Sequence, residues 1–85
     1  MVIAGTTTTS VNENTYKQVA SPGGARIFNP SVTALRVIVA ASQPSTSAVG
    51  ERVDETVGNR WEQVTTNPVW VKTEHGTFDI VISAP

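Results

Sequence analysis

Few residues of this chain could do chemistry: there is one histidine, His75, and no cysteine. Nucleophilic catalysis needs a Ser, Thr or Cys beside a base that a third group holds in place. His75 sits in Glu74-His75-Gly76, a turn-forming triplet between two apolar runs, and an imidazole at an exposed turn has nothing to orient it. No GxSxG, HExxH or phosphate-cradling glycine loop occurs. Ser21-Pro22-Gly23-Gly24 reads as a turn. Glu51, Asp54 and Glu55 lie close together, but two-carboxylate glycosidase chemistry needs a cleft that holds a sugar ring. Their spacing also lacks the EF-hand pattern, so they read as a solvated loop. We expect no enzyme activity, no cofactor and no metal.

Aromatic side chains are the other candidates. Trp61 and Trp70, with Gln63, could form a platform on which sugar rings stack. Tryptophan also suits protein interfaces, because it couples a large apolar area to one N–H donor.

The elements that must carry these residues belong to one small domain. An 85-residue chain buries roughly 60–65% of its unfolded surface, which leaves a thin stability margin. Without cysteine it has neither disulfides nor thiolate metal sites, so association with other chains is the remaining way to gain buried area. Six Lys and Arg against seven Asp and Glu give a formal net charge of −1. No basic stripe is present to neutralise phosphates, so nucleic acid is not an expected partner. No run approaches the ~20 apolar residues that span a membrane, and the start, Met1-Val2-Ile3-Ala4-Gly5, lacks the features of a signal peptide. Synthesis in the cytoplasm is expected.

Residues 1–14 read as an extended N-terminal arm, rich in threonine and asparagine, with Val11 its one large apolar residue in the stretch GTTTTSVNEN. Such an arm either frays or orders against a neighbouring subunit. Residues 15–85 form the domain. Short β-rich runs alternate there with Gly, Pro and Asn turn signals, and no 3.6-residue period appears. The expected fold is all-β, a small antiparallel sandwich or barrel of about seven short strands. These lie near 15–19, 25–28, 33–41, 51–54, 59–65, 69–73 and 77–83; VGERVDETVG could instead hold a short helical turn.

If His75-Gly76 makes a two-residue hairpin, Lys72 faces Asp79 and Val71 faces Ile80. Val69, Val71, Thr73, Phe78, Ile80 and Ile82 then share the inner face. A second hairpin through residues 65–68 sets Val64 opposite Val69 and Trp61 opposite Lys72. This register puts Trp61, Gln63, Trp70 and Lys72 outward and Val64 in the core; a one-residue bulge would return one tryptophan inward. In TALRVIVAA (33–41), Leu35, Val37 and Val39 fill one face, and Ile38 and Ala40 make the other apolar too, as on a strand covered from both sides. A second subunit is the expected cover. The candidate interface is therefore Val11, Ile38, Trp61, Gln63, Trp70 and Lys72.

Two stretches, ARIFNPSVTALRVIV (25–39) and NPVWVKTEHGTFDIVIS (67–83), resemble small virion proteins of tailed bacteriophages. The likeness lies in Phe28-Asn29-Pro30-Ser31 with Leu35-Arg36-Val37, and in Val69-Trp70-Val71-Lys72 with Gly76-Thr77. The resemblance implies a β-sandwich, often a homotrimer, that attaches to a major capsid protein or another virion component. Within that group, capsid decoration or cement proteins fit the size and composition. A receptor- or glycan-binding module of a head or tail fibre is the alternative.

Overall fold

Among the described residues eight strands form, most of them where β-branched and aromatic residues alternate with polar ones, and turn residues separate them. The structure, a computed structural model, describes residues 6–20 and 23–85. The strands are β1 (Thr7–Val11), β2 (Lys17–Ala20), β3 (Ala25–Phe28), β4 (Leu35–Val39), β5 (Glu51–Val53), β6 (Arg60–Gln63), β7 (Val69–Thr73) and β8 (Phe78–Ser83). A single 3-10 turn, Glu55–Val57, joins β5 to β6. Of the all-β antiparallel sandwich or barrel of about seven strands expected from the sequence, the sandwich is the fold observed, with eight strands among the described residues.

Two four-stranded sheets face each other. Sheet A has the order β1-β8-β3-β6, and sheet B the order β2-β7-β4-β5. The pairings nest: β1 with β8, β2 with β7, β3 with β6 and β4 with β5. The chain thus forms one long antiparallel hairpin, rolled so that β3 meets β8 and β4 meets β7. This is the jelly-roll wrapping. Among consecutive strands only β4 and β5 pair with each other; every other connection crosses between the sheets.

That topology corrects both expected hairpins. β7 and β8 lie in different sheets, so the link through His75 is an arch. The backbone around Thr73 is already engaged: Thr73 N–H donates to Asn12 O (3.0 Å), and Glu74 N–H donates to Ala34 O (3.0 Å). Lys72 faces Arg36, not Asp79, and Asp79 faces Ser10. Likewise β6 pairs with β3, setting Trp61 beside Ile27. Trp61 is only 8% exposed and belongs to the core, whereas Val64, expected inside, is 77% exposed.

The inner faces nevertheless hold the expected residues. Val69, Val71, Thr73, Ile80 and Ile82 are buried, packed with Val19, Ile27, Leu35, Val37 and Val53. They meet across the sandwich instead of side by side within one sheet. Val11 completes the core at 1% exposure, because β1 is an edge strand of sheet A, in register with β8. The expected arm therefore contributes a strand to its own domain; residues 1–5 of it lie outside the described residues, as do Ser21 and Pro22 of the expected turn. Gly24 of that turn needs to be glycine. Its φ is +88°, and a Cβ there would stand 1.8 Å from Gln63 O.

Both open sides of the sandwich are closed by a polar side chain. On one side Lys17 Nζ donates to Thr9 Oγ1 (2.8 Å) and Ser10 O (3.1 Å), joining β2 to β1. On the other, Trp61 Nε1 donates to the Glu51 carboxylate, joining β6 to β5. Charged groups at such positions also discourage pairing with foreign strands.

Candidate interaction face

The outer face of sheet B gathers the largest share of the expected interface. Ile38 and Trp70 are directly opposite, and Gln18 follows on the next strand. One row along, Arg52, Arg36 and Lys72 line up across β5, β4 and β7. Ile38, Trp70 and Lys72 are half-buried, and the cover is the chain's own β4–β5 connection, residues 40–50. Trp70 Nε1 donates to Ala40 O (2.9 Å), the Tyr16 hydroxyl to Ala48 O (2.7 Å), and Gln43 Nε2 to Tyr16 O (2.9 Å). The apolar second face of β4, for which a second subunit was the expected cover, is thus covered in part by the chain's own loop.

Like charges directly opposite on neighbouring strands repel and destabilise the pairing. Here two carboxylates offset the arginines. Glu74 Oε2 lies 2.8 Å from Arg36 Nε and 2.9 Å from Arg52 Nε, and Asp54 Oδ2 lies 2.9 Å from Arg52 Nη1. Hydrogen bonding from Arg52, reinforced by the charge of Arg36, holds the Glu74 carboxyl below the usual carboxylate range. The Thr56 hydroxyl and N–H do the same for Asp54, which caps the 3-10 turn. Lys72 has no carboxylate within ion-pair distance among the described residues; its Nζ lies 5.9 Å from the centroid of the Tyr16 ring. Burial pushes the Tyr16 phenol up, with Arg36 opposing.

A pH dependence follows. Because the folded carboxyl of Glu74 is depressed, its stabilisation is present above the ordinary glutamate range and is lost as pH falls through the folded value. Glu74→Gln should cost on the order of 1 kcal/mol at neutral pH and flatten the acid limb. Urea midpoints measured from neutral to acid pH check this; parallel curves for the two proteins would count against the bridging role.

The remaining expected residues disperse. Val11 and Trp61 face inward and belong to the core, because β1 and β6 sit in sheet A with those side chains turned toward sheet B. Gln63 is exposed at the end of the edge strand β6. The two tryptophans therefore form no common platform. His75 is 87% exposed, with Nδ1 at 3.8 Å from Glu13 Oε2. Glu51 and Asp54 are engaged by Trp61 and Arg52, and among the described residues no three His, Asp or Glu side chains gather to hold a metal.

Sequence reasoning missed Arg52, Glu74 and Tyr16 as members of this face. Arg36 was visible as the one charge in an apolar strand, but its neighbours depend on pairing between strands far apart in the chain. Comparisons with protein-family models, with curated proteins and with solved structures find no match to this chain.

Proposed function

We propose that this chain is a non-enzymatic structural protein of a tailed-phage virion: a decoration or cement protein that binds the assembled capsid as a homo-oligomer, with a trimer the expected order. The observation that carries this reading is the outer face of sheet B, where the Ile38–Trp70 row adjoins Lys72, which has no ion-pair partner among the described residues. An apolar row beside a charge suits contact with another protein. Two further points support it. The sequence resembles small phage virion proteins at Phe28–Ser31 and Val69–Lys72. The jelly-roll wrapping also recurs in viral capsid domains, an analogy at the level of fold. A protein that binds only the expanded shell stabilises that state by mass action.

The alternative, a receptor- or glycan-binding fibre module, draws on the same fold analogy, since lectins also use it. It loses the two-ring platform, because Trp61 is in the core, and retains only Trp70.

The test is binding of the purified protein to emptied capsids of the phage that encodes it, compared with host cells and a polysaccharide panel. Saturable capsid binding at a symmetry-defined copy number is expected. Binding to cells or polysaccharide alone would favour the fibre reading. Light scattering coupled to size exclusion reads the oligomer; a stable monomer at micromolar concentration would argue against self-association.

A further inference from the structure

An open surface depression of about 380 Å³ lies between sheet B and the loop above it, lined by Arg36, Lys72 and Glu74 on the sheet side and by Thr46, Ser47, Ala48 and Val49 from the loop. Three cations, Arg52, Arg36 and Lys72, stand in one row, and the carboxylates of Glu74 and Asp54 are both engaged by the arginines. One positive charge is left over, and it falls at Lys72. The Tyr16 ring fixes this arrangement from both sides, lying under the Lys72 ammonium while its hydroxyl ties down Ala48. Holding the loop and the cation in place before binding lowers the ordering cost of a ligand.

We infer that Lys72, beside an Arg36 already paired with Glu74, forms a receptor for a carboxylate borne by an acidic segment of a protein partner. A carboxylate supplies the charge the row lacks, and an ammonium with free donors is its natural counterpart. The neighbouring surface favours a peptide over a sugar. Val49 is 84% exposed at the rim, and the Ile38–Trp70 row adjoins the cations. An acidic residue followed by an apolar one matches both features. That the partner is the capsid rests on the function proposed above; the chemistry of the site does not.

The experiment uses the whole chain, ¹⁵N-labelled, and a blocked Glu-Leu-Glu peptide, with Gln-Leu-Gln and a uronic-acid tetrasaccharide as the other arms. The Glu peptide should move the amides of Arg36, Lys72 and residues 46–49 saturably, and the Gln peptide should not. Lys72→Gln should weaken binding by about tenfold or more, with the rest of the spectrum unchanged, and Lys72→Arg should retain it. Equal response to the two peptides, no response to either, undiminished binding by Lys72→Gln, or tighter binding of the tetrasaccharide would each overturn the inference. A capsid-binding arm separates it from the broader reading. If wild type and Lys72→Gln bind capsids equally, the inference fails and the decoration reading stands. If the Glu peptide binds but capsids do not, the site stands and its assignment to the capsid fails.

Discussion

Trp61→Ala is expected to lower the unfolding free energy by about 3–5 kcal/mol, the range for removing a large buried aromatic. Trp61 is one of the core side chains, packed in the cluster with Ile27 and Val37 at 8% exposure. Its loss removes apolar contact and leaves a cavity between sheets that cannot collapse freely, because backbone ladders hold both. It also cuts the link from Nε1 to Glu51 that closes one side of the sandwich. A domain of this size has a total stability on the order of 5–10 kcal/mol, so the variant should be near the edge of folding at physiological temperature. Trp70→Ala provides the contrast. Trp70 is half-buried on the outer face and holds one hydrogen bond to Ala40 O, so its truncation should cost clearly less. Guanidinium unfolding of the two variants ranks them. A near-neutral Trp61→Ala would mean that the indole faces outward, as a β6–β7 hairpin would place it, and the nested pairing would be wrong.

Asn29→Asp should be of similar size, with an unusual pH signature. Asn29 is 1% exposed in the arch between β3 and β4. Its Nδ2 donates to Thr33 O (2.8 Å) and Val53 O (3.3 Å), while Oδ1 accepts from Ser31 N–H (3.0 Å). One amide thus joins the arch to the end of β5. Aspartate has the same shape but no donor when ionised, and it would set a buried negative charge against two carbonyl oxygens. A loss of about 3–5 kcal/mol at neutral pH is expected, typical of an uncompensated buried charge. Burial raises the folded carboxyl above the ordinary aspartate value, so the deficit should grow as pH rises from about 4 towards 7 and shrink in acid. The wild-type chain, with Glu74 and Asp54 depressed, should lose stability in the acid direction. Unfolding midpoints across that range read the opposing trends. An Asn29→Asp variant as stable as wild type at neutral pH would mean that Nδ2 does not face those carbonyls.

Asn29 also shows what the sequence could and could not say. Phe28-Asn29-Pro30-Ser31 was legible as a turn and as part of a family-like pattern, but nothing local reveals that its amide reaches Val53, 24 residues on. The same limit governs the fold. Alternation along 69–73 and 78–83 states which side chains point inward, and those assignments agree with the observed burial. It does not state which strand lies alongside. A hairpin and an arch between facing sheets bury the same residues, so Val71 and Ile80 were assigned to the right face and the wrong neighbour. Trp61 was misplaced for this reason alone, its face having been inferred from a pairing that does not form. β1 was missed because its run, TTTSV, carries strand-favouring threonines but little apolar alternation. Of the candidate face, Ile38, Trp70 and Lys72 were legible from outward parity within their strands. The charge row was not, because it needs the register of three strands separated by long loops.

If the proposed function holds, the outer face of sheet B is where this protein meets the capsid. Hydrogen exchange of the free protein against its capsid-saturated form tests it most directly. Added protection is expected at the amides of residues 36–38, 46–49 and 70–72, with the outer face of sheet A, around Phe28 and Val81, unchanged. Protection confined to sheet A or to the arch around His75, or none at saturating capsid, would mean that this face is not the contact surface.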